Sequence, residues 1–225
     1  MAKKQQEETQ TVFEDMDVAL NKGEAFIETH QSKIFIGLAV IAAVVVGIIC
    51  FKSFYLEPRN KESKESIFAA EQIFAMDSFQ LALDGNAEIM GFLDIIDEYG
   101  STDAGNLAKA YAGLCYKQLG DNESAIEYLS KFSADDKTVQ PAIYGAIADA
   151  YWDMNNTDKA ISYYEKAIKN GNEMIAPFYG KREAMLYLSL NQNDKALDIL
   201  KNIEKKYPNF SEMGEVKKFI EYISK

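Results

Sequence analysis

Histidine occurs once, at His30, and cysteine twice, at Cys50 and Cys115, in a chain of 225 residues. The lone histidine excludes His-based triads and most zinc sites. Two cysteines are too few for a disulfide framework. Basic residues are outnumbered 24 to 35, for a formal net charge of −11, and no long basic run offsets the deficit. A phosphate-backbone partner therefore fits poorly, and no nucleic acid is expected. Phosphate-cradling Gly-rich loops and nucleophile elbows are also missing. The 48% apolar, 12% aromatic and 26% charged composition is that of a folded protein, not a disordered or fibrous one. The mean hydropathy of −0.24 hides a segregation along the chain.

From Ile34 to Phe51 the sequence IFIGLAVIAAVVVGIICF carries no charge. At about 1.5 Å per residue, such a helix approaches the roughly 30 Å hydrocarbon core of a bilayer. Lys52 can snorkel, and Phe54, Tyr55 and Leu56 extend the segment into the interface, so residues 34–56 read as one transmembrane span. Too many residues precede it for a cleaved signal peptide, and no small-x-small site follows. The segment reads as a retained signal anchor. Residues 1–33 form an acidic lead in which Val12, Phe13, Met16 and Leu20 recur at helical spacing. That lead is either a solvated helix feeding the span or a docking helix for a partner. Near the span, Lys22 and Lys33 stand before it, and Lys52, Arg59, Lys61 and Lys64 after it. Counted literally, this asymmetry puts the C-terminal part in the cytoplasm.

After Pro58 the chain becomes a soluble, all-α domain with 19 basic and 28 acidic residues over 57–225. Apolar spacings of three and four dominate, and Pro141, Pro177 and Pro208 fall between periodic stretches. Three stretches align: YKQLGDNESAIEYL from Tyr116, YWDMNNTDKAISYY from Tyr151 and YLSLNQNDKALDIL from Tyr187. In each, four residues separate a tyrosine from Gly120, Asn155 or Asn191, and five more reach Ala125, Ala160 or Ala196. A bulky residue follows at Leu129, Tyr164 or Leu200. The spacing predicts a first helix closed by the tyrosine, a turn residue at positive φ, and a second helix whose alanine admits a close crossing. Gly113, Ala148 and Ala184 allow the same approach from the other side.

These marks resemble the tetratricopeptide repeat, over residues 106–208. Residues 57–105 read as a divergent helical pair, with helices over 62–83 and 87–99. Residues 209–225 read as a capping helix that Ser211 can start, with Met213, Val216, Phe219, Ile220 and Ile223 on one face. The repeat resemblance implies a groove lined by first helices. By position it is lined by Ala110, Leu114, Lys117 and Gln118, then Gly145, Asp149, Trp152 and Asp153, then Phe178, Lys181, Met185 and Leu188. Of these, Leu114, Lys117, Asp149, Trp152, Asp153, Phe178, Lys181 and Met185 are the candidate partner contacts. The Lys/Asn/Arg set that clamps a C-terminal carboxylate in some such repeats is missing. Trp152 either packs between repeats or stands exposed as an anchor. Asp149 and Asp153 beside it favour a partner with basic character, or an apolar segment with a cationic end.

Chemistry finds little footing. Asp94, Asp97 and Glu98, and Asp135 and Asp136, lie in charge-rich stretches that read as solvated faces. Cys115 reads as packed core and His30 as interfacial. Neither an enzyme nor a cofactor, metal or small-molecule substrate is expected.

The order of acidic lead, signal anchor and repeat domain resembles the YfgM-like ancillary subunit of the bacterial SecYEG translocon. GEAFIETHQSKIFIGLAVIAAVV is similar to that family's approach to its anchor, and FLDIIDEYGSTDAGNLAKAYAGLCYKQLGD to its first repeat region. The resemblance implies an inner-membrane protein with periplasmic repeats. Its partners would be translocon subunits, periplasmic chaperones or exported chains. The lysine asymmetry departs from that topology. A scaffold for outer-membrane assembly or division would have the same architecture.

Overall fold

Residue 30, residues 32–33 and residues 35–225 are described in the computed structural model of the chain. The amphipathic stretch from Val12 to Leu20, and Ile34 at the head of the span, lie outside the described residues. Two units divide between Pro58 and Arg59.

In the first unit, helix α1 covers residues 35–51. It belongs to a helix that is long and apolar enough to cross a membrane and whose apolar window is wholly unburied. A π-helical turn, Lys52–Leu56, follows, and the Glu57 N–H donates to the Lys52 carbonyl. Within this stretch the rings of Phe51 and Tyr55 stack at 5.1 Å.

The second unit is a run of helical hairpins. Helices α2 (Glu57–Ala75), α3 (Phe79–Asp84) and α4 (Phe92–Tyr99) precede three pairs. These are α5 (Asp103–Gln118) with α6 (Asn122–Lys131), α7 (Val139–Asp153) with α8 (Thr157–Asn170), and α9 (Ile175–Ser189) with α10 (Asn193–Lys206). Helix α11 (Met213–Ile223) ends the array. Side chains that compete with the backbone sit at helix starts. Thr102 accepts from Gly105 N–H at 3.0 Å, and Asp121 from Ser124 N–H at 3.0 Å. No strand forms among the described residues beyond an isolated bridge between Gly85 and Met90.

The predicted turns are present. Gly120, Asn155 and Asn191 have φ of 85°, 58° and 57°. Past each of them the chain bonds back to the helix it has left. Asp121, Asn156 and Gln192 N–H donate to the carbonyls of Tyr116, Tyr151 and Tyr187 at 2.9, 2.8 and 2.9 Å. The reversal brings the second helix across the first at its small residues. A Cβ on Gly113 would meet Leu129 Cγ at 2.5 Å. Ala125, Ala148, Ala160, Ala184 and Ala196 are fully buried at equivalent crossings.

The same turn occurs once more upstream, and it breaks the helix expected over 62–83 between Ala75 and Phe79. Asp77 has φ of 56°, with fully buried Ala70 before it and Ala82 after it. Small residue, turn residue seven on, alanine five further: Ala70, Asp77 and Ala82 keep the spacing of Gly113, Gly120 and Ala125. What differs is the distance to the next copy. Ala82 to Ala125 is 43 residues, against 35 and 36 between the later alanines. Additional chain over 85–91 splits the second helix into α3 and α4. Gly85 turns there at φ 68°, and Asn86 accepts from the N–H groups of Glu88 and Ile89. Phe92, Tyr111 and Phe74 then pack as one aromatic cluster, with Phe92 stacked on Tyr111 at 5.0 Å. At the other end, Ser211 caps nothing. Helix α11 starts from Glu212 without a side-chain cap, and fully buried Val216 anchors it.

One core position is charged. Glu183 stands where the first two pairs have Ala112 and Ile147, and only 6% of it is exposed. Burial, reinforced by the charge of Glu165 on α8, pushes its carboxyl from 4.5 up to about 7. The native state then binds the extra proton between those values, so stability falls as pH rises through that window and is flat above it. Replacing Glu183 with glutamine should remove this slope. Its thermal midpoint should exceed that of the parent at about pH 8 and converge with it at about pH 4; parallel pH profiles for the two proteins would contradict this assignment. At the turns, Gly120→Ala should cost about 1 kcal/mol through the positive φ alone, because a Cβ there meets nothing. Gly120→Asn should be nearly neutral, as Asn155 and Asn191 already hold that conformation. Thermal unfolding followed by circular dichroism checks both, and equal losses for the two variants would refute the conformational account.

Candidate partner-binding groove

Helices α5, α7 and α9 supply the candidate groove, and the positions assigned to it divide into three groups. Ala110 and Gly145 are buried between repeats. A Cβ on Gly145 would run into the ring of Tyr179, whose hydroxyl donates to the Ala142 carbonyl at 3.1 Å. These two positions set the spacing of neighbouring first helices and are not reachable surface.

The second group is charged, and it is paired. Lys117 Nζ lies 3.7 Å from Asp153 Oδ2. Arg182 Nε donates to Asp149 Oδ1 at 2.8 Å, and the Tyr164 hydroxyl donates to the same oxygen. Lys181 bridges Glu212 and Glu215, the latter at 2.5 Å. Burial pushes the Asp149 carboxyl up, while the Tyr164 hydrogen bond and the Arg182 charge oppose the shift. The expectation that Asp149 and Asp153 favour a basic partner changes accordingly, because both acids already face cations of this chain. Arg182 and the Tyr164 hydroxyl were not among the expected contributors. The signal was a tyrosine at a position occupied by Leu129 and Leu200 in the other pairs, since its polar tip needs a buried partner.

The third group is apolar and partly open. Leu114, Trp152, Phe178 and Leu188 are half-buried, and Met185 is 39% exposed. Trp152 both packs and shows: its ring meets Tyr164 edge-on at 6.4 Å while part of it remains accessible. Phe178 is edge-on to Tyr179 at 5.0 Å, with the Arg182 guanidinium 5.8 Å above it. Gln118 is exposed beyond the end of this row.

Two of the acids weighed for chemistry hold helix starts. Asp94 accepts from Gly91 N–H at the start of α4, and Asp136 accepts from the N–H groups of Thr138, Val139 and Gln140 at the start of α7. Burial pushes the Cys115 thiol up to about 12, which suppresses the reactive thiolate. Among the described residues, no three His, Cys, Asp or Glu side chains gather as a metal site.

Comparison with known proteins bears on the repeats. Models described as "tetratricopeptide repeat" match residues 112–132, 141–170 and 182–209. Curated protein sequences return no match. Among solved structures, a crystal structure of MamA protein superposes with a TM-score of 0.53 at 16% identity, covering 72% of this chain and 86% of that chain. A second MamA crystal structure gives a TM-score of 0.43 at 18% identity, covering 59% and 86%. At this identity the first likeness speaks to fold alone. The matched segments are the three hairpins built on Gly120, Asn155 and Asn191, and the chain carries tetratricopeptide repeats arranged as an all-α solenoid.

Proposed function

We propose that this chain is a membrane-anchored interaction module of the bacterial inner membrane, working beside the SecYEG translocon with its repeats in the periplasm. There it brings newly exported chains together with translocon subunits and chaperones. One observation carries the reading: an unburied apolar helix long enough to span a bilayer shares the chain with in-phase repeats whose groove keeps Trp152, Met185 and Leu188 partly open. Tetratricopeptide repeats are a protein-binding scaffold, so a protein partner follows from the fold. The choice of translocon over another envelope machine rests on the sequence resemblance around the anchor and first repeat.

Two measurements test it. With a photo-crosslinking residue at Met185 or Trp152 in the full chain, adducts should form with translocon subunits, periplasmic chaperones or chains in export. Adducts confined to outer-membrane assembly or division proteins would replace the translocon with those machines. A C-terminal alkaline phosphatase fusion should be active, since that enzyme folds in the periplasm. An inactive fusion would overturn the topology in favour of the one implied by Lys52, Arg59, Lys61 and Lys64.

A further inference from the structure

The ion pairs of the groove form a ladder. Lys117 on α5 answers Asp153 on α7, Asp149 on α7 answers Arg182 on α9, and Lys181 on α9 answers Glu212 and Glu215 at the head of α11. Every rung joins one first helix to the next. The other charged residues of these three helices are occupied or aside. Lys109 donates to the Gly100 carbonyl at 3.3 Å, Glu183 is core, and Asp103 opens α5. Each of these charges thus has a partner within the chain, with three cations against four carboxylates on the rungs. The second helices carry charge of their own, as in KNIEKK of α10. The apolar side chains left partly open beside the rungs are Leu114, Trp152, Phe178, Met185 and Leu188.

We infer that the groove takes an uncharged apolar segment of a partner polypeptide, seated with an aromatic or long aliphatic side chain against Trp152 and Met185, and discriminates against charged segments of either sign. The inference rests on the reading that this groove is where partners bind. A charge entering the trough must either break a rung, stranding the displaced partner, or remain unpaired in a partly desolvated site; both weaken binding.

Trp152 is the sole tryptophan and serves as the probe. The full chain in lipid nanodiscs is titrated with a short end-blocked peptide of Leu, Phe, Ala, Ser and Gln, with empty nanodiscs as the partition control. Two further peptides carry Lys or Asp in place of the central Ser. The uncharged peptide should shift Trp152 emission saturably, and both charged peptides should bind about tenfold more weakly or worse. Asp153→Asn, at an exposed position that leaves the core intact, removes the ion pair of Lys117 and leaves it only the charge of Asp149; it should improve the Asp peptide relative to the uncharged one by about tenfold and worsen the Lys peptide. A charged peptide that binds the parent as tightly as the uncharged one overturns this inference while leaving the groove reading standing. So does an Asp153→Asn chain with unchanged peptide ranking. If no peptide moves Trp152 emission and Met185 crosslinks to nothing, the groove reading falls and this inference with it.

Discussion

The architecture depends on how closely one helix can cross another. At Gly113, Ala148 and Ala184 the first helix of each pair offers almost no side chain, and the second lays Leu129, Tyr164 or Leu200 into that space. Such a crossing requires the chain to reverse within a few residues, hence a backbone in the left-handed region at Gly120, Asn155 and Asn191. Small residue, turn residue and alanine are therefore one constraint seen at three points, and their spacing cannot drift while the rest of the sequence does. Once the hairpins form, their first helices follow one another along the array, and the candidate groove is a by-product of that stacking.

A division of labour in charge follows. Second helices meet water and carry lysine and glutamate freely. First helices are packed on both flanks, and the few charges they keep at the groove are spent between neighbours. Asp149 shows the cost and its remedy: burial disfavours its ionised form, and Arg182 and the Tyr164 hydroxyl, from two different helices, offset the penalty. The ion pairs align successive repeats more than they advertise to a partner.

Much of this was legible in the sequence. The hairpins, their turn residues and the small crossing residues all follow from a spacing that steric necessity preserves. The upstream copy was harder to read because additional chain over 85–91 places the next alanine 43 residues on instead of 35 or 36, although Ala70, Asp77 and Ala82 keep the local spacing. The sequence names positions for a candidate groove but does not show which of their charges are paired. Asp153 looks like a free acid in one dimension because Lys117 lies in a different helix, and Asp149 because its partner, Arg182, is 33 residues away. Ion pairing across repeats has no local signature. The open start of α11 escaped for a similar reason: Ser211 has the right side chain, but it stands one residue before the position that begins the helix.

The ladder also governs how the domain comes apart. Core clusters gather at successive contacts along the array, and each rung links only adjacent first helices. Stability so distributed is a chain of nearest-neighbour couplings, and opening begins where a unit has one neighbour instead of two. At the C-terminal end that unit is α11, held by Val216 in its core and by Lys181 through Glu212 and Glu215. Losing α11 would strip Lys181 of both carboxylates and leave a bare cation at the edge of the groove. The last helix is thus a terminal plug in an electrostatic sense as well as a hydrophobic one.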